Sequence, residues 1–401
     1  MGEKDQSALW RPYFSDLLIT TFQDSRPSPN LGLPDGSLLF ADLSGFTALS
    51  EKLAASGRIG GERLAGIIND CFTPLLEIVF HHDGDVIKFG GDSFLVLFAG
   101  DDHLKRALRC GRVLISWVND NGRIVIPEGE VKLGIHVGLS TGRPFNLLIG
   151  NPGGRREHLF CGSVVEHAYA AADRAKLGEL VLTGAAAKSL NLSEVKELEG
   201  DFYLYQSGAV QVEYGRCRRK AEGNLKRIPA GMSDFLIAGL ADMLDAGGGT
   251  IEGEHRILTS LFIGVESLRR NLEADSAKSV AALADYFDLI DRALVRFEGT
   301  LGRIDTSAAG EKILAFFGAP RSSGRDAANA LGAALQIEQG LAQVNRKFPL
   351  PVRHRYGINT GVCYVGDVGG QDRREYTGTV SYTHLRAHET PEHLVCRLLL
   401  E

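Results

Sequence analysis

Two stretches decide the reading of this chain: Leu39-Phe40-Ala41-Asp42-Leu43-Ser44-Gly45-Phe46-Thr47, and Asp85-Val86-Ile87-Lys88-Phe89-Gly90-Gly91-Asp92-Ser93-Phe94-Leu95-Val96-Leu97-Phe98. Each sets one carboxylate at the edge of a short apolar run, the pattern of a buried strand. Asp42 then ends a strand just before a helix. Asp92 lies in a Gly-Gly-Asp turn between the strands of a hairpin. If those strands pair, both carboxylates reach one end of a sheet. Two carboxylates held together repel unless a cation joins them, and hard oxygen ligands suit Mg²⁺. Ser44, Gly45, Phe46 and Thr47 open the helix, where unpaired N–H groups bind phosphate. The residues themselves point to a magnesium-nucleotide site. The bland alternative is two strand-end carboxylates that cap turns.

Around this core the chain follows a β-α-β-β-α-β order. A strand is expected over 37–43 and a helix from Gly61 to His82, with Leu64, Ile67, Ile68, Phe72, Leu75, Leu76 and Val79 at helical spacing. The hairpin 85–98 follows, then a helix over 101–118, a strand over 131–139, a Gly/Pro-rich segment to Gly154, a helix over 163–176 and a strand over 179–183. That order suits an α+β domain of the ferredoxin-like kind.

The pattern then repeats. Leu261-Phe262-Ile263-Gly264 matches Leu39 to Asp42, and Gly310-Glu311-Lys312-Ile313 matches Gly91 to Phe94. Gly357-Ile358-Asn359-Thr360-Gly361 matches Gly134 to Gly138, and Arg373-Arg374-Glu375-Tyr376 matches Arg155 to His158. The blocks keep their order at offsets of about 220 residues, as one duplicated domain would. The second copy has Gly264 in place of Asp42 and Glu311 in place of Asp92, so it lacks the carboxylate pair. The expected division is an N-terminal extension (1–34), a first domain (35–200), a linker (201–253), a second, degenerate domain (254–380) and a tail (381–401).

Phe-Ala-Asp-Leu-Ser-Gly-Phe-Thr followed by Lys-Phe-Gly-Gly-Asp resembles the class III nucleotidyl cyclases, in particular the soluble-adenylyl-cyclase-like branch with two cyclase domains in one chain. The likeness covers roughly residues 35 to 380. It implies two α+β cyclase domains packed head to tail as a pseudo-heterodimer, with the first donating metal ligands and the second reading the base. On that likeness Asp42 and Asp92 hold two Mg²⁺ (or Mn²⁺) ions with the Leu43 carbonyl assisting. Ser44, Gly45, Phe46 and Thr47 hold phosphate, and Thr377 with Arg303 or Asp305 meets the base. The implied reaction converts ATP to cyclic AMP and pyrophosphate in intracellular signalling. Lys88 falls where bicarbonate-responsive members use a lysine, which makes it a possible regulatory site; the accompanying arginine has no counterpart in Glu166-His167-Ala168-Tyr169.

The likeness breaks after Thr377. The family's Val-Asn-x-x-x-Arg helix is absent, and residues 381–401 read as foreign sequence joined to a shortened frame, which would leave this chain weakly active. His384, His388 and His393 in that tail fit solvent exposure better than a metal site. Two other functions compete. One is a regulatory nucleotide-binding module without turnover. The other is a diguanylate cyclase, whose turn resembles Gly90-Gly91-Asp92-Ser93-Phe94 but whose upstream motif has no Ser-Gly-Phe-Thr. Arg155, Arg156, Arg373 and Arg374 fit either phosphate binding or pairing with Glu157 and Glu375. His136 is assigned no role.

With 401 residues there is room for two or three domains. The net charge of −6 gives no reason to expect nucleic acid. The basic run Arg216-Cys217-Arg218-Arg219-Lys220 reads as a solvated linker face. The six cysteines are scattered without a Cys-x-x-Cys, which fits reduced thiols in a cytoplasmic protein. No run is long enough to span a bilayer, and the polar start is no signal peptide. Residues 8–22 can form an amphipathic helix packed on the body or on a partner.

Overall fold

Two antiparallel-centred sheets carry the two copies of the repeat. The computed structural model describes residues 9–23, 35–54, 57–151, 153–192, 194–206, 228–247, 251, 253–307, 310–319 and 322–380. The first half contains α1 (Asp16–Gln23), β1 (Gly36–Ser44), α2 (Phe46–Ala54), α3 (Gly57–His81), β2 (Asp85–Phe89), β3 (Ser93–Phe98) and α4 (His103–Asn121). It continues through β4 (Arg123–Ile126), β5 (Gly129–Lys132), β6 (Gly134–Gly142), β7 (Phe145–Gly150), β8 (Arg156–Cys161), α5 (Ser163–Ala172), β9 (Leu180–Thr183), α6 (Gly184–Leu190), β10 (Val195–Leu198) and β11 (Phe202–Tyr205). The second half contains α7 (Leu240–Gly247), β12 (Glu254–Glu266), α8 (Leu268–Ala274), α9 (Ser276–Arg296), β13 (Thr300–Ser307), β14 (Gly310–Phe317), α10 (Asp326–Asn345), β15 (Arg353–Gly369) and β16 (Arg374–Val380).

The first sheet runs β10-β11-β9-β6-β1-β3-β2 and the second β13-β14-β12-β15-β16. In both, the first strand of the repeat sits between its hairpin partner and the long later strand. β1 pairs with β3 and β6, and β12 pairs with β14 and β15, all antiparallel. The duplication read from sequence is therefore a duplication of topology. The chain is α+β, with two tandem domains of matching topology packed against each other as a pseudo-heterodimer.

β1 is nearly all apolar because both its faces are covered. Leu39, Ala41 and Leu43 enter the main core beneath α2, α3 and α4. Leu38 and Phe40 enter a second cluster with Val164, Val165, Ala168 and Ala172 of α5. Side chains alternate along a strand, so Asp42 shares the face of Leu38 and Phe40. That is the face turned toward α5 and the second domain. In β12 the same alternation sends Leu261, Ile263 and Val265 into a core with α9 and α10.

Several local expectations shift. The expected strand over 131–139 divides into β5 and β6, because β4 and β5 form their own hairpin. The Gly/Pro-rich segment before Gly154 holds β7, which pairs with β8. The expected helix over 163–176 ends at Ala172, and the one expected from Gly61 begins at Gly57. Residues 202–205 complete the first sheet through β11. Residues 228–247 are packed: Ile228, Met232, Phe235, Leu236, Leu240 and Leu244 form a cluster with Tyr13, Phe14, Leu18 and Ile19 near the N-terminus. Asp85 fastens that unit to β2 by accepting from the Asp16 and Leu17 N–H groups at 3.0 and 2.7 Å. A carboxylate at a helix start contributes about 1 kcal/mol. The basic run 216–220 and the histidines of 381–401 lie outside the described residues.

Candidate nucleotide and metal site

β1 and β3 carry the two carboxylates to one place. Asp42 is opposite Ser93 in the β1–β3 ladder. The next bond in that ladder runs from the Leu43 N–H to the Asp92 carbonyl, at 3.1 Å. Asp42 and Asp92 thus flank Leu43 at the same sheet end, where β1 turns into α2. The turn needs its glycine. Gly45 has φ +107°, and a Cβ there would sit 3.0 Å from the Lys132 carbonyl oxygen. Phe46 is buried and starts α2, and the first-turn N–H groups of a helix have no intrahelical partner. Ser44, Gly45, Phe46 and the Thr47 backbone therefore follow Asp42 directly at a helix start.

His136 joins this group. It is opposite Asp42 in β6, and its Nε2 lies 3.2 Å from Asp42 Oδ2. Asp173, just past α5, completes the cluster. Burial raises its carboxyl pKa, His136 opposes that shift and Asp42 adds to it. Sequence reasoning gave His136 no role, since a lone strand histidine carries no signal. The cross-strand register is what places it.

Across the domain boundary, the three base-binding candidates are joined. Arg303 donates from Nε to Asp305 Oδ2 at 2.6 Å and from Nη1 to Thr377 Oγ1 at 3.1 Å. Arg303 follows a register shift between Leu301 and Arg303 in the β13–β14 pairing. The group acts on Tyr169 of α5. Burial raises the Tyr169 phenol pKa, with Asp305 and Glu375 adding and Arg303 opposing. The Tyr169 ring packs on Phe40, with centroids 4.1 Å apart. Phe40 lies two residues from Asp42 on the same strand face, so the halves of the site share one wall.

Lys88 donates from Nζ to the Ile304 carbonyl, between Arg303 and Asp305. It lines a cavity of about 100 Å³ with Glu157, His158, Arg303, Arg373 and Glu375. His158 is held neutral there, its pKa pushed down to about 3 by burial, with Lys88 and Arg373 adding. The paired arginines are internally partnered. Arg155 bonds to Glu157 at 2.9 Å and Arg373 to Glu375 at 3.2 Å. Arg156 stacks over Phe22 and Phe235, and Arg374 lies 3.6 Å from Asp367. Pairing with Glu157 and Glu375 thus describes Arg155 and Arg373, whereas Arg156 and Arg374 take other partners.

The second copy offers no equivalent carboxylate pair. Gly264 has no side chain, and Glu311, opposite Val265, is 3% exposed. Its surroundings at the interface are Glu166, Arg269 and Glu273, with Arg269 Nε 2.7 Å from Glu166. Among the described residues no three His, Cys, Asp or Glu side chains converge as a preformed metal cage. The Asp42–Asp92 end supplies two carboxylates and a backbone carbonyl. That is a hard oxygen set, which fits Mg²⁺ or Mn²⁺ shared with a nucleotide's phosphates better than a closed protein cage.

Residues 33–227 match the family described as adenylate and guanylate cyclase catalytic domain. Over about nine-tenths of its length the chain is similar to adenylate cyclases of type 10. Adenylate cyclase type 10 of Oryctolagus cuniculus is 24% identical over 405 residues, 91% of this chain and 24% of the relative. Adenylate cyclase 1 of Rhizobium meliloti (strain 1021) is 33% identical over 125 residues, 30% of this chain and 18% of the relative. The chain thus spans about a quarter of the length of the type 10 relatives. Among solved structures, a class III adenylyl cyclase-like ATP-binding protein from Pseudomonas aeruginosa has a TM-score of 0.63 at 14% identity, covering 91% of this chain and 84% of its own. That likeness extends over both domains and establishes the paired fold.

Proposed function

We propose that this chain is a nucleotidyl cyclase that converts ATP to cyclic AMP and pyrophosphate at the interface of its two domains. The observation that supports the reading is a link between unlike halves: Asp42 and Asp92 stand at a helix start in one domain, and Phe40, on the strand of Asp42, packs on Tyr169, which faces the Arg303 and Asp305 group of the other. Asp42, Asp92 and the Leu43 carbonyl would hold two Mg²⁺ or Mn²⁺ ions. Bound there, such ions acidify a ribose 3′-hydroxyl and neutralise triphosphate charge. The backbone from Gly45 to Thr47 cradles phosphate oxygens with N–H groups. Thr377 offers a hydroxyl that both donates and accepts, matching the adjacent acceptor and donor of adenine, and Arg303 adds donors held in place by Asp305. Positioning and fixed charge supply the acceleration, since phosphoryl transfer asks little covalent chemistry of the protein.

The same reading places the chain in the cytoplasm as a signalling enzyme. Among the described residues no helix is long and apolar enough to cross a membrane. A second reading is a regulatory nucleotide-binding module. It is favoured by the sequence after Thr377, which lacks Val-Asn-x-x-x-Arg. Loss of a transition-state donor of that kind typically costs about a hundredfold or more in rate.

The deciding experiment measures cyclic AMP and cyclic GMP formed from ATP and GTP with Mg²⁺ or Mn²⁺. It compares this chain, its Asp42→Ala variant, and a version whose tail is replaced by a helix bearing Val-Asn-x-x-x-Arg. Cyclic AMP that disappears in Asp42→Ala supports the cyclase. Nucleotide binding without product from the first and third proteins supports the regulatory module.

A further inference from the structure

Arg155 and Arg373 occupy equivalent positions in the two copies and begin with the same bonds. Each donates from Nη2 to the glutamate two residues on, and from Nη1 to the carbonyl of the next residue at 2.7 Å. They differ in what else they grip. Arg155 reaches the Asp234 carbonyl at 3.3 Å, in the segment between the domains. Arg373 crosses into the first domain, with Nε 3.0 Å from the Val86 carbonyl and Nη2 3.1 Å from the Ile87 carbonyl. Glu375 Oε1 accepts from the Phe89 N–H at 3.4 Å, and the Arg373 guanidinium lies 5.4 Å from the Phe89 ring centre.

The gripped strand is a weak one. β2 is the last strand of its sheet, and its pairing with β3 shifts register between Val86 and Lys88. An edge strand with a bulge has carbonyls free of the ladder on its outer side. Besides the Asp85 and Lys88 side-chain bonds, it is the second domain that meets those carbonyls. β2 ends at Phe89, one residue before the Gly90-Gly91-Asp92 turn. A planar guanidinium fork satisfies two successive carbonyls at once, which an ammonium does not. Arg373 is 3% exposed, so its charge is compensated by these carbonyls and by Glu375 rather than by water.

We propose that Arg373 is a positioning residue for Asp92: docking of the second domain locks the edge strand that aims the metal-binding turn. The inference rests on the metal site proposed above. It gives the degenerate domain a second task beside base recognition, and it makes the grip one-sided, on the hairpin that keeps its aspartate.

The test uses the full chain, with amide hydrogen exchange over 85–92 and Mn²⁺ titration followed by electron paramagnetic resonance. Arg373→Met is expected to speed exchange across 85–92 and to weaken Mn²⁺ binding about ten- to a hundredfold, the range for loss of a residue that orients a ligand. Arg155→Met changes neither, and Arg373→Lys recovers part of the loss. Unchanged exchange and Mn²⁺ affinity in Arg373→Met overturn the proposal while leaving the metal site standing. A parent chain that binds no Mn²⁺ overturns the metal reading itself, which separates the two failures. Should Arg373→Met not fold, Glu375→Gln weakens the same grip: a few-fold loss of Mn²⁺ affinity supports the proposal and no loss overturns it.

Discussion

His136 Nε2 sits 3.2 Å from Oδ2 of Asp42, on the carboxylate assigned to the metal site. The imidazole and an incoming cation would contend for the same oxygen. The two side chains are 17% and 29% exposed, so the pair is solvent-screened and worth at most about 1 kcal/mol. His136→Ala is therefore expected to tighten Mn²⁺ binding by up to about fivefold. A weaker affinity in the variant would show instead that the imidazole orients the carboxylate for the metal.

Asp42→Asn and Asp92→Asn each keep side-chain shape and remove one charged ligand. Both positions lie at a sheet end rather than in the core, so thermal unfolding should move little. Cyclic nucleotide formation should fall by about a hundredfold or more in each. Activity retained in either variant, with an unchanged melting curve, would remove that residue from the metal set.

The group proposed to read the base is buried enough for a single hydroxyl to matter. Thr377 is 5% exposed and accepts from Arg303 at 3.1 Å. Thr377→Val removes the hydroxyl that accepts this bond, a change worth about 1 kcal/mol or more. The expected result is a KM for ATP raised about tenfold or more, with discrimination against GTP reduced and kcat changed less. An unaltered ATP-to-GTP ratio would move base recognition away from Thr377.

The parts of this site that were legible in the sequence are those carried by local pattern. Asp42 and Asp92 each stand at the end of an apolar run; the β2–β3 hairpin sets the Asp92 turn locally, and the β1–β3 pairing that brings Asp42 beside it joins two strongly apolar strands about 50 positions apart. The duplication was legible because Gly264 and Glu311 sit in otherwise matching blocks. What escaped depends on distant partners. His136 meets Asp42 only through the β6 register, and Tyr169 meets Arg303 and Asp305 only when two domains dock. Residues 228–247 look like a linker because the apolar surface they cover belongs to Tyr13, Phe14 and Leu18, some 200 positions earlier. Phe145 to Gly150 is a true strand, but a short run among Gly and Pro gives a weak signal.

Glu311 stands in the second copy where the first has Asp92, and its chemistry differs. Its Oε1 is buried with no hydrogen-bond partner among the described residues. Its pKa is pushed up to about 7, chiefly by burial, with its own backbone N–H opposing, Glu166 and Glu273 adding and Arg269 opposing. The unfolded carboxyl has the ordinary value of 4.5. Between those two values the unfolded chain has released a proton that the folded chain still holds. Folding stability from this group therefore falls as pH rises from about 4.5 to about 7, and stays low above that. The full loss is on the order of 3 kcal/mol. Glu311→Met replaces the buried acid with an apolar chain of similar size and removes the titration. Denaturant unfolding at pH 5 and pH 8 should show the variant's advantage over the parent growing with pH. An equal advantage at both values would mean that Glu311 ionises as readily folded as unfolded, and that the degenerate position carries no buried acid at all.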